Sequence, residues 1–157
     1  MTATIPVLDM DKAKELVSLA IAEKGEEYVY QREGTVCSYV HQVGEVWDEE
    51  SDTYEEDYSS AVPGCLVGHA LHLGGISLEV LSGYNLDGSH DLFSALKRAN
   101  EIGEVSDRAA HYLAQVQGSQ DNAAPWGLAN EAALRGKMLY KKFDMYGRFT
   151  GEFNEND

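Results

Sequence analysis

The chain has 157 residues, 43% of them apolar and 25% charged, an ordinary balance for one domain that buries a core. Twelve Lys and Arg stand against 27 Asp and Glu, a formal charge of −15 that repels nucleic-acid backbones and anionic membranes and attracts basic surfaces. No apolar run reaches bilayer length and Met1 to Asp9 carries no basic leader, so direct nucleic-acid binding, membrane insertion and export are set aside. The two cysteines, Cys37 and Cys65, are accordingly read as thiols of a cytoplasmic protein.

Along the chain, Asp9 to Lys24 places Leu16, Val17, Leu19, Ala20 and Ile21 at helical spacing between a capping Asp and a terminating Gly25, which predicts the first helix. Tyr28–Gln31 and Val36–His41 are rich in aromatic and β-branched residues and flank Arg32-Glu33-Gly34, which predicts a hairpin, with a third short strand around Glu45-Val46-Trp47. Beyond Pro63-Gly64, Cys65 to Leu73 reads as a short helix closed by Gly74-Gly75, and Ser77 caps a second over Leu78 to Leu81. Ser89 or Asp91 opens a helix through Asn100, and Ser106-Asp107 opens another through Gln117. Pro125 suits a first helical turn, and the amphipathic stretch after it runs to about Lys142. This order predicts an α+β fold: one helix-dominated domain over residues 1–143, a small antiparallel hairpin or three-stranded sheet near its N-terminal half, and a polar, frayed tail over 144–157.

Two groups of residues carry chemistry. Cys37 and His41, then Cys65 and His69, repeat a Cys-x3-His spacing, and His72 follows one turn later, so a structural zinc site is one reading. If residues 36–41 are extended, Cys37 and His41 lie roughly 13 Å apart at about 3.3 Å per residue, too far for one metal. On a helix, by contrast, Cys65, His69 and His72 share a face, opposite an apolar arc of Leu66, Val67, Ala70, Leu71 and Leu73. The competing readings are a buried Cys beside histidines on a partly solvated flank, and a Cys65 thiolate favoured by a helix N-terminus and His69. The last lacks a recognisable oxyanion hole or orienting residue, and no phosphate loop, dinucleotide fingerprint, zinc-protease helix or serine elbow occurs. The chain is therefore read as no enzyme, with no cofactor unless the Cys and His set holds zinc.

The second group is acidic. Trp47 to Tyr58 sets Asp48, Glu49, Glu50, Asp52, Glu55, Glu56 and Asp57 among Trp47, Tyr54 and Tyr58. The run lacks the central Gly of a calcium loop, which leaves three readings: a solvated loop, an interaction patch in which aromatics supply contact and charge steers a basic partner, or a carboxylate array that imitates duplex phosphates.

Cys37-x-Tyr39-Val40, Pro63-x-Cys65-Leu66-Val67-Gly68 with Leu71 and Gly74, and Leu78-Glu79-Val80-Leu81 resemble a family of uncharacterised small proteins of actinobacteria and their phages. Ala114-Gln115, Gln120-Asp121, Trp126-Gly127 and Ala132-Ala133 extend the resemblance over roughly residues 28–133. It implies a source and a shared core but assigns no activity, cofactor or site. Its Cys and Gly positions typify that family more than His41, His69 and His72, which makes the motif a packing signature. The expectation is thus a small acidic cytoplasmic protein, phage-encoded and acting in the host cytoplasm, that modulates a host protein through a basic surface on that partner. The alternatives are a DNA mimic directed at a host DNA-binding protein, and a zinc-binding or Cys/His-dependent protein. Neither the partner's identity nor the oligomeric state follows from the sequence.

Overall fold

The computed structural model describes residues 2–32, 38–85 and 88–156. In chain order their elements are β1 (Ile5–Leu8), α1 (Met10–Lys24), β2 (Val40–His41), β3 (Gly44–Asp48), β4 (Thr53–Asp57), β5 (Val62–Pro63), α2 (Leu66–Leu73), α3 (Leu78–Ser82), α4 (Ser89–Arg98), β6 (Ile102–Val105), α5 (Asp107–Asp121), α6 (Trp126–Leu134), β7 (Met138–Phe143) and β8 (Phe149–Asn156). The class is α+β, with helices carrying the core.

Caps define the helices. Asp9, Ser77 and Ser106 each accept a hydrogen bond from a backbone N–H in the first turn of α1, α3 and α5. At the other end, the amides of Gly136 and Lys137 return to the carbonyls of Ala133 and Ala132, and Gly136 takes φ +73°, so α6 ends in a Schellman turn. The same turn closes α5 through Ala123, whose φ of +66° is unusual for a residue with a β-carbon.

The core forms where α2 is held between α1 and α5. All residues from Leu66 to Leu71 are buried, Gly68 included, because a β-carbon at Gly68 would run into the Tyr39 carbonyl and lie 2.8 Å from the Tyr39 Cα. Beside them β1 and β6 pair in parallel, Ile5 opposite Ile102 and Leu8 opposite Val105. Each of these strands is followed by a single capping residue and a 15-residue helix, so two strand–cap–helix units stand side by side in the fold. Neither strand is predicted above: Pro6 and Gly103 break the usual strand pattern, and the pairing exists only across the length of the chain.

The hairpin of the N-terminal half lies elsewhere than predicted. Tyr28–Gln31 is not a strand, and Glu33 to Cys37 lie outside the described residues. The Tyr28 carbonyl instead accepts from the Trp126 amide at the start of α6, and the Tyr30 hydroxyl accepts from the Ser38 amide at 2.9 Å. Val40–His41 pairs with Val62–Pro63, while the hairpin proper is β3–β4.

A second correction concerns the C-terminus. The helix predicted to reach Lys142 stops at Leu134, and the predicted tail from Asp144 contains strand β8, paired antiparallel with β7. Gly136 stops the helix, and two side chains of α5 fix the strand that follows. Ser119 Oγ accepts from the Leu139 amide at 2.8 Å, and Gln115 Nε2 donates to the Gly136 carbonyl at 2.7 Å. Leu139 and Phe153 then pack with Ala124, Ala129 and Ala132 in a small satellite core.

Candidate functional site

The acidic segment is a two-stranded ribbon whose strands pack chiefly on each other. Its register pairs Glu45 with Glu56, Val46 with Glu55, Trp47 with Tyr54 and Asp48 with Thr53. Because side chains alternate, Glu45, Trp47, Tyr54 and Glu56 share one face, and Val46, Asp48, Thr53, Glu55 and Asp57 share the other. The two rings meet edge to face with centroids 5.0 Å apart, yet Trp47 stays 45% exposed and Tyr54 66%. A cross-strand aromatic pair stabilises the ribbon, whereas the directly opposed Glu45 and Glu56 work against it.

The carboxylates divide into two kinds. Asp48 accepts from the Glu50 amide at 3.0 Å and the Ser51 hydroxyl at 2.9 Å, and Asp57 accepts from the Ser59 amide and hydroxyl, each at 3.0 Å. These bonds hold both carboxyl groups below the usual Asp range, the Ser51 hydroxyl foremost at Asp48 and the Ser59 amide at Asp57. Asp48 ties the turn between β3 and β4, Asp57 ties the exit from β4, and both are half-buried. Glu45, Glu49, Glu50, Asp52, Glu55 and Glu56 are exposed, and no Lys or Arg occurs in the sequence between Arg32 and Lys97 to neutralise them. Tyr58, just past the ribbon and half-buried, donates its hydroxyl to Glu56, which raises the Tyr58 pKa. Of the ten residues singled out in the sequence, Trp47 to Asp57 thus lie in one ribbon. Glu45 and Val46, not singled out, belong to it as well, and the Glu45-Val46-Trp47 strand signal was the pointer to them.

The Cys and His residues go different ways. His41 Nε2 lies 2.5 Å from the Tyr30 hydroxyl, His69 Nε2 lies 2.5 Å from Glu23 Oε2, and His72 Nδ1 lies 2.9 Å from the Ile76 carbonyl. The described residues gather no group of three His, Cys, Asp or Glu suited to a metal, and Cys37 lies outside them. Cys65 is buried, as the reading of a buried Cys expects, but the partly solvated flank predicted for the histidines is corrected at His69 by the packing of α2. Cys65 and His69 are buried, His69 between Glu23 and the edge of Trp126, and only His72 is half-buried. Nor does the helix N-terminus serve Cys65. The Leu66 amide donates to Gln120 Oε1 at 2.7 Å and the Val67 amide to Gln117 Oε1 at 3.3 Å, so α5 consumes the donors that would favour a thiolate.

Two features have no counterpart in the sequence reading. A cleft of about 360 Å³ lies between β7 and the end of α5, lined by Tyr30, Arg32, Asn122, Ala123, Lys141 and Phe143. The Arg32 guanidinium is bound there to the Asp121 carbonyl at 2.8 Å. Above it, the far end of β7–β8 exposes Phe143, Met145, Tyr146 and Phe149. The alternation from Leu139 to Phe153 was the available signal, masked by a lysine-rich stretch that also fits a helix face. No helix among the described residues is long and apolar enough to cross a membrane. No protein-family model, curated protein or solved structure matches the chain.

Proposed function

We propose that this chain is a binding protein that engages a basic surface on another protein through the β3–β4 ribbon. The observation that carries the reading is the exposed Trp47–Tyr54 pair on the same ribbon face as Glu45 and Glu56. A two-stranded ribbon is marginal by itself in water, and one that keeps two aromatic rings in solvent among exposed carboxylates gains by docking. Charge then steers the encounter and the rings supply contact area. A binding role is favoured over Cys–His chemistry by the burial of Cys65 and by the glutamine caps on α2. The resemblance to small proteins of actinobacteria and their phages makes a host cytoplasmic protein the expected target.

The test is capture from host lysate by the tagged chain, run beside a Trp47→Ala/Tyr54→Ala variant and a Glu45→Gln/Glu55→Gln/Glu56→Gln variant. A specific partner should be held by the parent chain, released as salt rises, and lost by both variants. Equal retention by parent and variants would sink the proposal. The mimicry reading rests on the same ribbon, since carboxylates line both of its faces. Competition for the captured partner by duplex DNA would select it.

A further inference from the structure

The β7–β8 hairpin answers the acidic ribbon in charge and in pattern. From Lys141 to Phe149, the far end of the hairpin carries Lys141, Lys142 and Arg148 against Asp144, an excess of +2 in a molecule of −15. From Gly44 to Asp57 it carries eight carboxylates and no Lys or Arg. Each hairpin sets an aromatic pair beside charge on one face: Trp47 and Tyr54 with Glu45 and Glu56 in one, Phe143 and Phe149 with Lys141 in the other. The cations of the second hairpin sit against its rings, with Lys141 Nζ 5.2 Å from the Phe149 centroid and the Arg148 guanidinium 5.1 Å from that of Tyr146. Its base is held by the satellite core, but its tip is bare, with Met145 88% and Tyr146 73% exposed.

The geometry points to a second copy of this chain as the occupant of that tip: the aromatic and cationic end of β7–β8 in one copy docks on the Trp47–Tyr54 face of β3–β4 in the next. Charge selects this arrangement. Two copies each carrying −15 repel, and docking one acidic ribbon on another would add to that repulsion. The far end of β7–β8 brings a local positive excess to the contact, with apolar rings on both sides. The Arg148–Asp144 and Lys142–Glu152 pairs within the hairpin are exposed, so they yield readily to new partners. Such a contact is heterologous: a joined pair keeps one free β3–β4 ribbon on one copy and one free β7–β8 tip on the other, so assembly continues into a chain or closes into a ring. This goes beyond an external partner for β3–β4, and because both would occupy the Trp47–Tyr54 face, partner and second copy compete for it.

Sedimentation velocity of the full chain tests it. At low salt the weight-average mass should climb with concentration past that of a dimer, and at high salt it should fall back toward the 17.3 kDa monomer. A Trp47→Ser/Tyr54→Ser variant and a Lys141→Glu/Arg148→Glu variant should each be monomeric, with circular dichroism and melting curves confirming that both fold. Mixed in equal amounts, they retain one working contact between them and should form a one-to-one dimer and nothing larger. A parent chain that stays monomeric at low salt overturns the inference without recourse to the variants. Self-association of the Trp47→Ser/Tyr54→Ser variant alone overturns it as well, in favour of like hairpins pairing. The Lys141→Glu/Arg148→Glu variant also separates the two readings, because it abolishes self-association while leaving an external partner's docking face on β3–β4 untouched.

Discussion

Among single residues, the buried Gln120 of α5 matters more than the cysteine it adjoins. Gln120 is fully buried and accepts the Leu66 amide, so Gln120→Leu would strand that donor inside the core. An orphaned buried amide costs about 1–3 kcal/mol. At roughly 2–4 °C per kcal/mol for a chain of this size, calorimetry should show the melting temperature fall by about 2–12 °C. Ala123 offers the opposite change. Its left-handed backbone costs an L-residue about 1 kcal/mol, so Ala123→Gly should raise the denaturant midpoint despite glycine's greater freedom when unfolded. Cys65 gives a direct reading of the site chemistry. Buried, and with the neighbouring amides taken up by Gln117 and Gln120, it should react with a thiol reagent at the rate of unfolding, as measured by mapping the labelled peptide. Rapid labelling in the native state would restore the case for a reactive thiol.

At the level of elements, the β3–β4 turn and the exit from β4 depend on ionised carboxylates. Asp48 and Asp57 have folded pKa values depressed by the bonds they accept, so their contribution is present above the ordinary Asp pKa and is lost as pH falls through the depressed values. Amide resonances of Glu50 and Ser59, which donate to those carboxylates, should shift together below the usual Asp range, while those of α2 stay in place. The helices were legible in the sequence because their signals are local: Asp9, Ser77 and Ser106 cap as their positions predict. The strands were less so. A four-residue segment such as Ile5–Leu8 becomes a strand only through Ile102–Val105, and Tyr28–Gln31 was drawn off by the start of α6. At the acidic site, composition disclosed Trp47 to Tyr58, but which of those carboxylates tie a turn and which face solvent depended on the hairpin register. For the Cys and His residues, spacing along one helix said nothing of the neighbours that surround it, and burial on all sides of α2 separated them.

For the molecule as a whole, an excess of fifteen negative charges remains after every Lys and Arg is counted, and it opposes compaction. Added salt should therefore stabilise the fold. The melting temperature ought to rise between dilute buffer and about 0.5 M sodium chloride, as the screening length drops from tens of ångströms to a few. No change would mean that the carboxylates are spread too widely to repel. The parallel pair of β1 and β6 sets a different requirement, one of time. Its partners stand 97 positions apart, as do Thr4 and Glu101, whose side chains are hydrogen-bonded beside it. At about 5–20 residues per second, a ribosome takes several seconds to deliver β6 after β1, whereas a hairpin such as β3–β4 closes in about 1–10 μs once it emerges. On the nascent chain the acidic segment thus emerges seconds before the strand that completes the core, so its carboxylates accompany the unpaired apolar residues of β1 and α1 through that interval.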